Sequence, residues 1–169
     1  MRLYKLTDEH DRTYGGTQWG EGVTHTAPGK GPLCSAGWIH AYTDPLLAVM
    51  LNPIHGDFSK PHLWEAEGVV GVEDHGLKVG CESLTTVRRM KVPRVTQAQR
   101  VRFGVLCALE VYRESHFVAR AEAWLSGSDR TEEAAWEAAE AAAWAARASN
   151  TPLNLAALAK RAIEEEKGK

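Results

Sequence analysis

The chain has 169 residues, 44% hydrophobic and 25% charged, with a formal net charge of −2. That is enough for one domain with a real core, or for a domain plus a helical extension. The balance excludes a strongly basic nucleic-acid binder, a disordered acidic protein and, with no apolar run near the ~20 residues of a membrane helix, a spanning segment.

Arg2 to Leu6 alternates as an opening strand, with Leu3 and the stem of Lys5 placed on different faces. Thr7 to Gly16 is polar and turn-rich, and Thr17 to Thr26 predicts one or two short strands broken at Gly20 and Gly22. Ala27 to Pro32, with two Gly and two Pro, is a loop. The most apolar run follows, Cys34 to Leu51. Trp38 to Tyr42 reads as a short buried strand. Asp44 is a good N-cap and Pro45 suits the first helical position, so Leu46 to Leu51 predicts a short apolar helix ending before Asn52-Pro53.

His62 to Val72 predicts a half-buried strand bent at its glycines, and Glu73-Asp74-His75-Gly76 a turn. Leu77 to Leu84 and Thr85 to Val92 predict two more strands, or one continuous ribbon. Neither face of the second is purely apolar, which predicts an edge strand or one facing solvent. Thr96-Gln97-Ala98-Gln99 is a capping box opening a helix with Val101, Val105, Ala108, Leu109 and Tyr112 on one stripe. Ser115 caps a second helix, with Phe117, Ala121, Trp124 and Leu125 inward, that stops at Gly127. Asp129 and Glu132 open a third over 130–149, rich in Ala and Glu. Thr151-Pro152 starts a fourth, striped with Leu155, Leu158, Ala159, Ala162 and Ile163. Strands first and helices afterwards predict an α+β fold: a mostly antiparallel sheet with one short helix over 1–95, then about four helices over 96–169. The helical region is expected to pack on the sheet or on a second copy, with Trp136 and Trp144 as oligomer contacts.

Three widely spaced cysteines, Cys34, Cys81 and Cys107, form neither a disulfide framework nor a zinc site. Met1 to His10 is mixed and polar, which predicts no signal peptide and a cytoplasmic protein. His40, His55, His62 and His75 stand near carboxylates, but their spacings match no metal motif, and neither a metal nor a cofactor is expected. Along one strand Cys34 and His40 stand ~20 Å apart, too far for a nucleophile pair. Gly20-Glu21-Gly22 and Gly29-Lys30-Gly31 lack the rest of either phosphate-binding glycine fingerprint. The strongest electrostatic feature is basic: Arg88, Arg89, Lys91, Arg94, Arg100 and Arg102, with no acid between Val87 and Leu109. These are the candidate contact residues for phosphates or an acidic protein surface.

Cys34-Ser35-Ala36-Gly37-Trp38-Ile39-His40-Ala41-Tyr42, followed by Asp44-Pro45-Leu46, resembles a family of small phage and prophage proteins with a Cys-x-x-Gly-Phe-His-Ala pattern and a Pro-Leu helix start. Trp64-Glu65-Ala66-Glu67-Gly68 and Leu77-Lys78-Val79-Gly80 look like that family's next strands. The likeness spans about residues 1 to 95, with Trp38 where a Phe is usual. It implies a phage origin and carries no activity with it; the first functional expectation is an accessory protein that acts by binding, inhibiting a host enzyme or defence complex. The implied partner is a host protein or protein–nucleic-acid complex, in the host cytoplasm, with no membrane partner. Leu3-Tyr4-Lys5-Leu6-Thr7 and the segment Ala41 to Met50 also resemble the layout of small ADP-ribosyltransferase-like folds. Those place a His or Arg on the first strand, where this chain has Lys5. This likeness implies an alternative, an enzyme acting on NAD with a cleft between Tyr4, His40 and Tyr42 and a glutamate from Glu65, Glu67, Glu73 or Glu82. A homo-oligomeric structural protein is the third reading.

Overall fold

The computed structural model describes residues 1–131 and 153–167, which form two compact units, Met1–Arg94 and Val95–Lys169. The architecture is α+β, a five-stranded antiparallel sheet followed by helices.

In the first unit, β1 (Arg2–Thr7) pairs with β6 (His62–Glu73), and β6 pairs with β7 (Val79–Met90). The other edge of β7 carries two short strands, β4 (Thr24–Thr26) beside Ser83–Thr85 and β5 (Ile39–Ala41) beside Val79–Cys81. The expected strand pair Leu77–Leu84 and Thr85–Val92 is therefore one ribbon. Its first part is central, because β4 and β5 supply partners there, while Val87 to Met90 has β6 alone as its strand partner among the described residues and exposes Val87, Arg88 and Arg89, as expected for an edge. β2 (Arg12–Thr13) and β3 (Thr17–Gln18) form a separate two-stranded ribbon around a 3₁₀ turn at Tyr14–Gly16, within what the sequence presents as a polar connection and the start of the next strand.

Reciprocal backbone bonds close the sheet on itself. Tyr4 donates its N–H to the Tyr42 carbonyl at 2.8 Å, and Tyr42 donates back to Tyr4 at 2.9 Å. The chain leaving β5 thus meets the free edge of β1, and the strands wrap around a core of Leu3, Trp19, Ala41, Ala66, Val79, Cys81 and Leu84. The period-two pleat puts Lys5 on the same face as Leu3, not the opposite one, and both are buried. Register shifts in β6 fall between Glu65 and Ala66 and on either side of Val70, bending the long hairpin as its glycines predict. Gly71 lies under the Trp38 ring, where a Cβ would come within 2.4 Å of Cζ3.

Asp44 caps α1 (Pro45–Met50) as expected, its carboxylate accepting from the Leu46 and Leu47 N–H groups at 2.8 and 3.1 Å. The helix buries Leu47, Ala48, Val49 and Met50 and packs on β1. The chain does not leave helical geometry before Pro53. A second turn, α2 (Asn52–His55), follows, since Pro53 at its start needs no intrahelical N–H bond. That extra turn carries His55 towards Tyr42.

In the second unit the Thr96–Gln99 capping box is formed in both directions, opening α3 (Gln97–Val111). Tyr112, expected on its stripe, lies just past the helix and is partly exposed. Val105 packs with Ala121 and Trp124 of α4 (Ser115–Ser126), ringed by Val101, Leu109, Phe117 and Leu125. Gly127, at φ 87°, ends α4 in the left-handed conformation. The last described helix, α5 (Leu155–Lys167), buries Leu155, Leu158, Ala159 and Ala162 and packs on α3. The predicted third helix, with Trp136 and Trp144, lies outside the described residues. No described helix is long and apolar enough to cross a membrane.

Candidate functional site

A cleft of about 1110 Å³ opens in the first unit. Its walls come from β1, the β2–β3 ribbon, β4, the loop before β5, β5 itself, the end of α2 and the turn before β7. The loop wall depends on Gly37, where a Cβ would lie 1.8 Å from the Lys30 carbonyl oxygen, and on Gly80, where one would lie 2.6 Å from Leu33 Cδ1.

Lys5 lies in the interior beside this space. It is 7% exposed, donates from Nζ to the His40 backbone carbonyl at 2.7 Å, and stands 5.0 Å from the centroid of the Trp19 ring. Burial pulls its pKa down to about 8. Trp19 is fixed by its indole N–H on Thr13 Oγ1 at 2.9 Å and by the edge of His25, 4.6 Å away.

Around the corner stand His40, Tyr42, His55, Lys78 and Cys34. The His40 ring donates from Nε2 to the Leu33 carbonyl at 2.5 Å, which leaves Nδ1 as the acceptor of the neutral ring. The chain therefore turns back between Leu33 and His40. The extended spacing that separates Cys34 from His40 in the sequence does not exist, because β5 is only three residues long. The Tyr42 hydroxyl bonds His55 Nδ1 at 3.0 Å, and the rings stack at 5.9 Å. Burial, reinforced by the Lys78 ammonium, lowers both imidazoles, His55 to about 4. Burial raises the Tyr42 phenol. Lys78, 8% exposed, donates to Cys34 Sγ at 3.1 Å.

The lining is cationic. Lys5, Arg12 and Lys78 face one carboxylate, Asp8, and an oxygen of that carboxylate already accepts the backbone N–H groups of Arg12 and His10 at 2.7 and 2.9 Å. These bonds, that of Arg12 first, hold the Asp8 carboxyl below its ordinary range. Trp38 and Phe58 add rings to the walls, and Tyr14, 99% exposed, and Ile54, 77% exposed, stand among the lining residues.

Of the three residues expected to bound a cleft, His40 and Tyr42 do so and Tyr4 does not. Tyr4 serves through its backbone, which holds Tyr42 in place. None of Glu65, Glu67, Glu73 and Glu82 lines the cleft. Glu65 instead binds Arg2 at 2.9 Å and Arg88 at 2.7 Å.

The six basic candidates do not share one environment. Arg88 is paired with Glu65. Arg89 is paired with Asp11 and lies over the Trp64 ring, 5.0 Å from its centroid. Lys91 and Arg94 are exposed. In the second unit Arg100 donates to the Val95 carbonyl, and Arg102, 5% exposed, donates to the Leu125 carbonyl, both at 3.1 Å. The sequence showed an acid-free run, but Asp11 and Glu65 lie far away in the chain and are delivered by the sheet.

Lys5 and Lys78 are the site residues that sequence reasoning left unassigned. The signal for Lys5 was its place two residues after Leu3 on an alternating strand. The signal for Lys78 was its place between Leu77 and Val79. Among the described residues no group of three or more His, Cys, Asp or Glu stands where it could hold a metal ion. Comparison with family models, with curated proteins and with solved structures finds no match.

Proposed function

We propose that the chain acts by binding, and that its working surface is the cleft of the first unit rather than the basic run at Arg88 to Arg102. The ligand this site suits is a small anion carrying a planar ring, of which a nucleotide is the nearest common class. The observation that carries the reading is the pair of buried lysines, Lys5 and Lys78, in a cleft whose one carboxylate is already engaged. Buried cations want a counter-charge, and an anionic ligand supplies it. Trp19, Trp38 and Tyr42 offer ring faces or edges beside those charges. An accessory protein acting by binding is compatible with such a site. No turnover is assigned, because no glutamate lines the cleft.

The test is thermal denaturation of the full chain with ATP, NAD, ADP-ribose and inorganic phosphate, each over a concentration series. A ligand that binds only the folded protein adds about 2.7 kcal/mol at a hundred times its Kd. A concentration-dependent rise in Tm with at least one nucleotide, weakened in Lys78→Ala, is expected. No rise with any of them at millimolar concentration overturns the reading.

A further inference from the structure

Lys5 and Lys78 share three features among the described lysines, and the difference between them lies in what each ammonium meets. Each is buried, each borders the cleft, and neither is paired with a carboxylate of the described residues. The Lys78 ammonium is directed at the Cys34 sulfur, whereas that of Lys5 meets a backbone carbonyl and a tryptophan ring. Lys30, Lys60, Lys91 and Lys160 are exposed. An ammonium has three N–H donors, whereas the described residues offer Lys5 one oxygen acceptor, the His40 carbonyl, together with the Trp19 ring. A protonated imine has one N–H and one positive charge. It could keep that carbonyl as acceptor and that ring as its cation-stabilising neighbour.

We propose that Lys5 is a nucleophilic lysine that forms an imine with a carbonyl group of an anionic ligand held in the cleft. This deepens the binding reading above and rests on it. The neutral amine attacks the carbonyl carbon, its lone pair forming the C–N bond while the carbonyl π electrons move to oxygen. Proton transfer from nitrogen to that oxygen gives a carbinolamine. Protonation of the hydroxyl and loss of water then leave the C=N double bond. Overall, one aldehyde and one ammonium give one protonated imine and one water, with no oxidant or reductant. Burial favours the step, because it lowers the cost of releasing the ammonium proton.

The experiment is reductive trapping on the full chain at pH 8 with pyridoxal 5′-phosphate, an anionic ring aldehyde, at sub-stoichiometric concentration with cyanoborohydride, followed by peptide mapping. A lysine titrating at about 8 rather than its ordinary 10.5 has on the order of a hundred-fold more neutral amine at that pH. Its lower basicity takes part of that back, leaving an expected preference for Lys5 over Lys60 on the order of ten-fold. Competition within the wild-type chain reads this without any variant. Lys5→Arg, checked for its fold by circular dichroism, is expected to abolish the adduct. Adducts spread evenly over Lys30, Lys60 and Lys91, or concentrated on Lys78, overturn the proposal. Thermal stabilisation by nucleotides without selective trapping removes the nucleophile and keeps the binding reading. Selective trapping without nucleotide stabilisation keeps the nucleophile and removes the nucleotide as ligand.

Discussion

Lys5 Nζ donates to the backbone carbonyl of His40 at 2.7 Å, tying the first strand to the strand that carries the cleft histidine. The bond holds a cation in the interior without a carboxylate. Because the folded pKa, about 8, is below the ordinary 10.5, the unfolded chain binds the extra proton between those values. The Lys5 contribution to stability should therefore grow as pH climbs from about 8 to 10.5, while burial of Cys81, Cys107 and Tyr42, which raises their pKa values, acts in the opposite direction at the upper end of that range. Melting temperatures across that range should fall more steeply with pH, or rise less, in Lys5→Met than in wild type.

His55 gives the corresponding acid-side effect. Its folded pKa, about 4, lies below the ordinary 6.5, so the unfolded chain takes up the proton first as pH falls through that window. Stability is expected to fall between pH 6.5 and 4, with His40 acting in the same direction. In His55→Gln the decline should be shallower when Tm is followed against pH. An unchanged slope would place the acid sensitivity elsewhere.

Tyr42 acts through two separable groups. Tyr42→Phe removes the hydroxyl bond to His55 Nδ1 but keeps the backbone pair with Tyr4. The expected loss in urea unfolding is about 1 kcal/mol, the net worth of one hydrogen bond. The α2 turn should loosen while the sheet stays closed, which amide exchange of His55 and Gly56 against that of Tyr4 would read out.

Asp11 joins three elements. Its carboxylate accepts from His62 Nδ1 at 2.8 Å, Trp64 Nε1 at 3.2 Å and the Arg89 guanidinium. Its backbone stands at φ 60°, which alanine adopts less readily than aspartate. Asp11→Ala should cost about 1–2 kcal/mol in denaturant unfolding, since it leaves two partly buried ring N–H groups without their acceptor, while the exposed Arg89 guanidinium adds little. Asp11→Asn should recover part of the loss.

Gly37 tests the cleft wall. A Cβ there would strike the Lys30 carbonyl, a backbone atom that cannot swing aside, and Gly37 also accepts the Gly29 N–H at 2.9 Å. Gly37→Ala should displace the loop before β5, and with it the Leu33 carbonyl that orients His40. Weaker ligand-induced stabilisation, alongside a modest fall in Tm, is the outcome to look for.

Local chemistry alone determined much of this protein. The α+β order, the Asp44–Pro45 helix start, the Thr96–Gln99 capping box and the Gly127 stop each rest on residues within a few positions of one another. Periodicity and capping encode such features directly. Only the tertiary structure decided the rest, because the deciding partners are distant in sequence. The first part of β7 is central because β4 and β5 arrive from more than 35 residues away. Arg88 and Arg89 are neutralised by Glu65 and Asp11 for the same reason. Tyr4 and Tyr42 meet only when the sheet closes, and that closure brings the His40 carbonyl within reach of Lys5. Lys5 lies inward beside Leu3, against the expectation of different faces, and the cleft beside it formed only once the glycine-dependent turn at Gly37 let the chain fold back.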